Sequence, residues 1–358
     1  MVLKEFGIEY KRIDEQLIAY IQCTIKDRSE LQPIYERLIQ QCKEYISGPA
    51  FGLFYWLTGE DMDVKACIPI TQPIESDEIK YSTLEGADVL SFIYKGTFDQ
   101  ERLDEYVSKI SHYLRNRGIP FGERRREIYL DSNNPEGNEI EYQVAIHNWT
   151  DLLATNMEQI LGKKASQEVL EDIDAPTLET SHNDRVKWIK TVLERLEETT
   201  DEDQKYEMIS RCAHVFPEEI IQKLRNIYVK TKNQTNDPLK GIDEVLLTIK
   251  EDQLWFPKPY RFRQGKIIHS ERCPGSPKEY EEATTEAEKR KAHCYCTVIR
   301  NYLEEGIIPH SFCNCSAGWE RQIWEGILKK PVKVDVVKSI VKGDDTCLFA
   351  IHIPDSLE

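Results

Sequence analysis

The sequence lacks long apolar runs and any excess of positive charge. No stretch approaches the roughly 18 apolar residues of a membrane span, and the first residues carry no apolar leader. The net charge is −16, from 47 Lys and Arg against 63 Asp and Glu. A field of this sign repels a phosphate backbone, so nucleic acid is not an expected partner. The basic piece at 123–127, ERRRE, is interpreted as a solvated turn, and we expect a cytoplasmic protein whose oligomeric state the composition leaves open.

The length predicts more than one domain. A chain of 358 residues is longer than a single hydrophobic core usually supports. The order of the patterns predicts an α+β chain in three parts. These are a duplicated strand–helix–strand–strand domain over 1–148, a helical connector over 149–204 and a cysteine-rich α+β domain over 205–358.

The first part contains the same order of elements twice. In each copy, a long strand pattern is followed by an amphipathic helix and two short strands. The first copy spans 8–26, 29–48, 51–57 and 63–70, and the second spans 81–98, 99–118, 126–131 and 138–146. Neither copy buries its apolar face alone, which predicts one pseudo-twofold domain with a cleft where the two sheets join.

These segments also carry a resemblance. From GPAFGLFYW at 48–56 to EIEYQVAI at 139–146, residues 5–147 resemble the GyrI-like small-molecule-binding family. The resemblance implies the duplicated fold. It also implies the effector-binding role that such domains have in multidrug-responsive transcription regulators, while some stand-alone members are hydrolases of strained electrophiles.

The resemblance places an acidic residue of the last strand in an aromatic-lined cleft that takes apolar cations. The matching residue is Glu141, and Lys65 has the equivalent place in the first copy. A buried carboxylate is costly unless it is paired, and a cationic ligand would relieve that cost. The aromatic candidates for the wall are Tyr55, Trp56, Tyr94 and Tyr129. The alternative is that Glu141 faces solvent and the aromatics are core. The sequence leaves open whether Lys65 pairs with Glu141.

A hydrolase is the main functional alternative. Glu141 would then act as the general base, and Tyr129 or Tyr55 would donate a hydrogen bond. Such a base needs a raised pKa, which an apolar cleft can provide.

The middle of the chain is read as helical. Apolar residues at helical spacing predict helices over 186–200, 217–231 and 241–252. The charged stretches at 163–184 and 230–241 are interpreted as linkers.

Six of the ten cysteines lie between 273 and 347. Cys294 and Cys296 form one Cys-x-Cys pair, and Cys313 and Cys315 form another. Two such pairs brought together supply the tetrahedral sulfur set that zinc prefers, and Cys273 is a further candidate ligand. An iron–sulfur cluster accepts the same ligands, so it remains the alternative cofactor. A redox or metal-dependent enzyme centred on these thiols is the second functional alternative.

The last part carries a second resemblance. HCYCTVIR at 293–300 and the segment 312–353, which ends in a helix and two predicted strands, resemble an uncharacterised cysteine-rich domain family over 205–354. That family is similar to the 4-vinyl reductase domain, which implies small-molecule binding and a cysteine-bound metal. The sequence therefore predicts a protein that binds or senses an apolar, cationic small molecule and carries a metal site.

Overall fold

The computed structural model describes residues 3–55, 62–74, 76–96, 100–130, 139–251, 260–304 and 307–357. The chain divides into two compact units. Unit 1 is Met1–Leu114 with Pro120–His147, and unit 2 is Arg115–Ile119 with Asn148–Glu358. Both units combine helices and sheet, which confirms the α+β class. Within the described part of the chain, no helix is both long and apolar enough to cross a membrane.

Unit 1 has the predicted duplicated order of elements. The first copy comprises β1 (Glu9–Ile13), β2 (Gln16–Ile25), α1 (Gln32–Cys42), β3 (Phe51–Tyr55) and β4 (Met62–Pro69). The second copy comprises β5 (Lys80–Leu84), β6 (Ala87–Lys95), α2 (Gln100–Arg115), β7 (Phe121–Tyr129) and β8 (Glu139–Ile146). The basic piece 123–127 lies inside β7, so its interpretation as a solvated turn is wrong.

All eight strands of the two copies form one antiparallel sheet, in the order β1-β6-β8-β7-β3-β4-β2-β5. The copies meet where β3 pairs with β7, with Phe51 opposite Ile128. We call this pairing the seam. At the outer edges the copies exchange strands, because β1 pairs with β6 and β5 pairs with β2. The predicted joining of two half-sheets is confirmed.

The helices pack on one face of this sheet. Tyr35 of α1 packs edge-on against Tyr129, with ring centroids 5.4 Å apart. Phe92 of β6 stacks on Tyr106 of α2 at 4.5 Å and on Tyr142 of β8 at 5.3 Å. Alternate residues of each strand therefore belong to this helix-covered core, and the residues between them lie on the other face.

Unit 2 is helical first and then mixed. Its helices are α3 (Trp149–Leu161), α4 (Lys163–Val169), α5 (His182–Thr199), α6 (Glu202–Ser210), α7 (Glu218–Thr235), α8 (Pro238–Glu251), α9 (Pro277–Glu282), α10 (Glu286–His293) and α11 (Asn314–Leu328). The strands β9 (Tyr260–Gln264), β10 (Ile267–Glu271), β11 (Lys333–Lys338) and β12 (Leu348–His352) form an antiparallel sheet in the order β11-β12-β10-β9.

The three predicted helices of the middle region are confirmed as α5, α7 and α8, but the two predicted linkers are wrong. The stretch 163–184 contains α4, where Ser166 and Val169 are buried against neighbouring helices. The stretch 230–241 is mostly helix, because α7 ends at a left-handed Asn236 and α8 begins two residues later. Whether a connector ends near residue 204 stays a prediction.

A buried ion pair joins the edge of α1 to the core face of the sheet. Arg28 donates from Nε to Oε2 and from Nη2 to Oε1 of Glu127, each over 2.7 Å. Glu127 is fully buried on β7. This bidentate geometry offsets the cost of removing both charges from water.

Removing the carboxylate charge of this pair should destabilise unit 1. Glu127→Gln leaves the Arg28 guanidinium buried without its counter-charge, so we expect a loss of about 3–5 kcal/mol in the free energy of unfolding. Urea unfolding followed by circular dichroism measures this loss. Glu139→Gln is the matched control, because it neutralises an exposed partner of Lys95 and should cost less than about 1 kcal/mol. Equal losses of unfolding free energy in the two variants would show that the Arg28–Glu127 ion pair does not stabilise unit 1.

Candidate ligand cleft and thiol cluster

Glu141 lies on the sheet face opposite the helices. We call this the Glu141 face. Its middle is an apolar cluster formed by residues of both copies, namely Ile18, Phe51, Leu53, Cys67, Leu84 and Ile128, with Tyr20 packed against it. Ile128 is the direct cross-strand neighbour of Glu141. The sheet therefore places the predicted acidic residue beside an apolar floor that the two copies share.

Glu141 is already bonded by three side chains. Its Oε1 accepts hydrogen bonds from Ser91 Oγ at 2.6 Å, Lys11 Nζ at 2.8 Å and Gln143 Nε2 at 2.9 Å. The side chain is 14% exposed. Lys11 comes from the exchanged edge strand β1, so the cation on Glu141 is supplied by the other copy. Lys65, the equivalent residue of the first copy, instead holds its ammonium 4.9 Å from the ring centre of Tyr20.

These bonds set the charge of Glu141. Burial raises its pKa, but the hydrogen bonds from Gln143, Lys11 and Ser91 outweigh burial, and the pKa lies below its usual value. A carboxylate of this kind is ionised and weakly basic near neutral pH. It does not have the raised pKa that the hydrolase alternative requires, and its negative charge is already compensated within the chain.

Two residues of the aromatic wall predicted from the sequence, Tyr94 and Tyr129, do not lie on the face of Glu141. Tyr94 pairs with Ile140 on the next strand and is 1% exposed, and Tyr129 pairs with the same residue from the other side and is 0% exposed. Because Ile140 and Glu141 are successive residues, both tyrosines lie on the helix-covered face. The side chain of Tyr55 and all of Trp56 lie outside the described residues.

A cavity of about 420 Å³ opens at the seam on the Glu141 face. We call it the seam cavity. Its lining combines strand residues with the loops that precede β2 and β3, as follows: Glu15, Gln16, Leu17, Ser47, Gly48, Pro49, Phe51, Pro69, Ile70, Arg126 and Ile128. Glu141 is not among these residues, but its cross-strand neighbour Ile128 is. The cavity therefore lies beside the predicted site, nearer to the joint between the copies.

Arg126 is the functional candidate that sequence reasoning missed. It is 8% exposed, lines the seam cavity and holds its guanidinium carbon 4.2 Å from the ring centre of Phe51. The sequence did contain a signal for Arg126. The segment REIYLD at 126–131 has the pattern of a half-buried strand, in which every second residue points to the same face. Arg126 and Ile128 are two residues apart in this segment, so they lie on the same face of the sheet.

In unit 2, four cysteines line one small cavity. The cavity has a volume of about 40 Å³ and is bordered by Cys294, Cys296, Cys313 and Cys347, which we call the thiol cluster. Cys294 follows α10, Cys296 lies in the next turn, Cys313 ends a short 3-10 helix, and Cys347 precedes β12. Three segments of the chain thus converge, and Cys347 was not among the predicted ligands.

The other two predicted ligands lie elsewhere. Cys315 belongs to the first turn of α11, and its thiol donates to the carbonyl of Cys212 at 3.3 Å. A side chain at Gly318 would overlap the carbonyl of Ser210, so this glycine lets α11 approach α6 closely enough for that bond. Cys273 does not border the small cavity.

Burial and the neighbouring cysteines favour the neutral form of these thiols. Burial raises the pKa of Cys294 and Cys313, and neighbouring cysteines add to the shift. Burial also raises the pKa of Cys296 and Cys315 to about 12. Among the described residues, no three His, Cys, Asp or Glu side chains are arranged so that they would already hold a metal ion. The donor type therefore suits zinc, but the described side chains are not placed as a metal site.

The Glu141 network makes a testable prediction about charge. Lys11→Gln removes one bond and the nearest positive charge, so the pKa of Glu141 should rise toward the unperturbed value of about 4.3. Carboxyl ¹³C titration by NMR measures this. Because the folded pKa lies below the unfolded one, the carboxylate stabilises the fold above about pH 4.3, and this stabilisation is lost as the pH falls through the folded pKa. In the variant the stabilisation should be smaller, and its loss should be complete at a higher pH, because the folded pKa moves toward the unfolded one.

Lys95→Gln is the matched control for this titration, because Lys95 pairs with Glu139 at the exposed end of the same strand. It should leave the pKa of Glu141 unchanged. A Glu141 pKa that is the same in Lys11→Gln and in the original chain would show that Lys11 does not set its charge.

Comparisons with known proteins give distant likenesses. No family model matches the chain. An uncharacterized protein of Methanocaldococcus jannaschii is 28% identical over 139 residues, which are 37% of this chain and 76% of that protein. The chain is also similar to the solved EcmrR C-terminal domain, with 17% identity, a TM-score of 0.33 and coverage of 39% and 96% of the two chains. The structure of SAV2435 bound to tetraphenylphosphonium is 12% identical, with a TM-score of 0.30, and the match covers 39% of this chain and 93% of that one.

Proposed function

We propose that unit 1 binds a small organic molecule in the seam cavity and acts as an effector-binding domain of the GyrI-like kind. The observation that carries this proposal is the cavity of about 420 Å³ at the joint between the two copies. Ligand sites are usually concave, mostly apolar and between about 300 and 1,000 Å³. The duplicated order of elements and the apolar floor of the Glu141 face support the same role.

The seam cavity suits binding better than catalysis. Its lining combines apolar side chains, Phe51 and Ile128 among them, with polar ones that include Gln16 and Arg126. Glu141 lies outside it and has a lowered pKa. Binding alone requires only a shaped surface with a few polar contacts, whereas a hydrolase also requires a base within reach of water and substrate.

Blocking the entrance of the seam cavity should abolish binding. Ser47 is exposed and lines the cavity, so Ser47→Trp places an indole at the opening without disturbing the core. Fluorescence titration with the neutral dye N-phenylnaphthylamine should show at least a tenfold loss of affinity in this variant. Ser47→Ala is the control and should bind as the original chain does. Full dye binding by Ser47→Trp would place the ligand site elsewhere.

For unit 2 we propose that the thiol cluster binds one soft metal ion, with zinc as the first candidate and an iron–sulfur cluster as the alternative. The convergence of Cys294, Cys296, Cys313 and Cys347 on one small cavity supports this. In this ligand set Cys347 takes the place of Cys315, which the sequence predicted as the fourth ligand. Cys273, the further candidate, is not part of it. The resemblance of 205–354 to an uncharacterised cysteine-rich family, itself similar to the 4-vinyl reductase domain, belongs to the same proposal. The metal would stabilise the meeting of these segments.

Metal analysis of the purified chain tests this assignment. We expect zinc in equal amount to protein and no visible colour. Cys347→Ser should lower the zinc content at least severalfold, because it removes one lining thiol. Cys273→Ser, a cysteine of the same region that does not border the cavity, is the control and should retain zinc. Metal-free protein, or equal loss in both variants, would contradict the ligand set, and iron with a broad visible band would favour the redox alternative.

A further inference from the structure

Two arginines with largely buried side chains, Arg28 and Arg261, are each paired with a carboxylate. Arg28 is bonded to Glu127 at 2.7 Å, and Arg261, which is also buried, is bonded to Glu320 at 3.0 Å. In each case a fully buried carboxylate compensates the guanidinium. Arg126 differs, because the hydrogen bond to it comes from a neutral group, with Nη2 donating to Gln16 Oε1 at 3.1 Å. Its Nε has no hydrogen-bond partner within the described part of the chain.

No carboxylate in the described residues is ion-paired with Arg126. Glu15 lines the same cavity, but its side chain is exposed at the rim and forms no ion pair with Arg126. Glu141 lies near enough to favour the charged form of Arg126, yet it is already bonded to Lys11. An arginine remains protonated even when buried. Arg126 therefore keeps a positive charge with which no carboxylate of the described residues forms an ion pair.

That charge borders a cavity with room for a ligand. The guanidinium lies over Phe51 and lines the seam cavity. Lys65 adds a second positive charge to the same face, above Tyr20. The electrostatic potential of this face thus favours a negative group, and the neighbouring rings favour a flat apolar body. A guanidinium binds carboxylate, sulfonate and phosphate through paired hydrogen bonds.

From this geometry we infer that the seam cavity takes an organic anion, whose acidic group pairs with Arg126 while its apolar body lies against Phe51 and Ile128. The inference rests on the proposed ligand-binding function and replaces the apolar cation expected from the sequence. A cation would meet Arg126 at the cavity and would have to compete with Lys11 for Glu141. An anion would supply the counter-charge that Arg126 lacks.

A matched pair of dyes tests the inference on the unmodified chain. N-phenylnaphthylamine is neutral, and anilinonaphthalene sulfonate has the same aromatic body with an anionic group. We expect the sulfonate to bind at least tenfold more tightly, with the preference falling as salt is raised. Tetraphenylphosphonium is the cationic probe and should bind more weakly than either dye.

Variants of Arg126 test whether this residue causes the preference for the anionic dye. Arg126→Gln should remove the tenfold preference for the sulfonate over the neutral dye, while Arg126→Lys should retain part of that preference. Arg126→Met, measured without ligand, should have an unchanged or higher melting temperature, since it removes an uncompensated buried charge. Arg28→Met is the control and should lower the melting temperature, because it strands Glu127.

The outcomes separate the two proposals. Equal affinity for both dyes, abolished in each case by Ser47→Trp, would overturn the anion inference and leave the seam cavity as the ligand site. Tighter binding of tetraphenylphosphonium than of the sulfonate would also overturn it. Failure of all three probes to bind the original chain would overturn the proposed function together with the inference.

Discussion

The alternation of side chains along paired strands is the constraint on which the architecture of unit 1 depends. The sheet continues through the seam without a break in register, so one set of alternate residues from both copies faces the helices and the other set forms the Glu141 face. A shift by one residue would exchange the two sets. The same rule separates Glu141 from Tyr94 and Tyr129, although all three lie within two residues of each other in the sheet register. Proximity in a strand does not place residues in one site.

The exchange of edge strands gives the two copies different electrostatics. Lys11 reaches Glu141 because β1 pairs with β6 of the other copy. At the equivalent place in the first copy the sheet carries Lys65 rather than an acid, and its ammonium lies over Tyr20. The pseudo-twofold repeat therefore preserves the backbone and the apolar floor while the charges differ.

In unit 2, polar groups and thiols occupy the positions where segments converge. Glu320 of α11 accepts hydrogen bonds from Arg261 and Ser270 and forms an ion pair with Arg272, and Trp319 lies beneath both arginines. Such a network is stable only when each charge has its partner. Arg272 also borders the thiol cluster. The charged network thus fixes one wall of the small cavity that the cysteines line.

The sequence by itself determined the repeated order of elements, the helices of the middle region and the position of Glu141 on the last strand of unit 1, because these follow from local periodicity. It also indicated that cysteines converge near the end of the chain. Only the tertiary structure decided which residues meet. Strand exchange brought Lys11 to Glu141, cross-strand register separated the tyrosines from it and placed Arg126 at the seam cavity, and β12 brought Cys347 to the thiol cluster. Each of these depends on contacts between residues distant along the chain, and neither composition nor spacing within one element encodes such contacts.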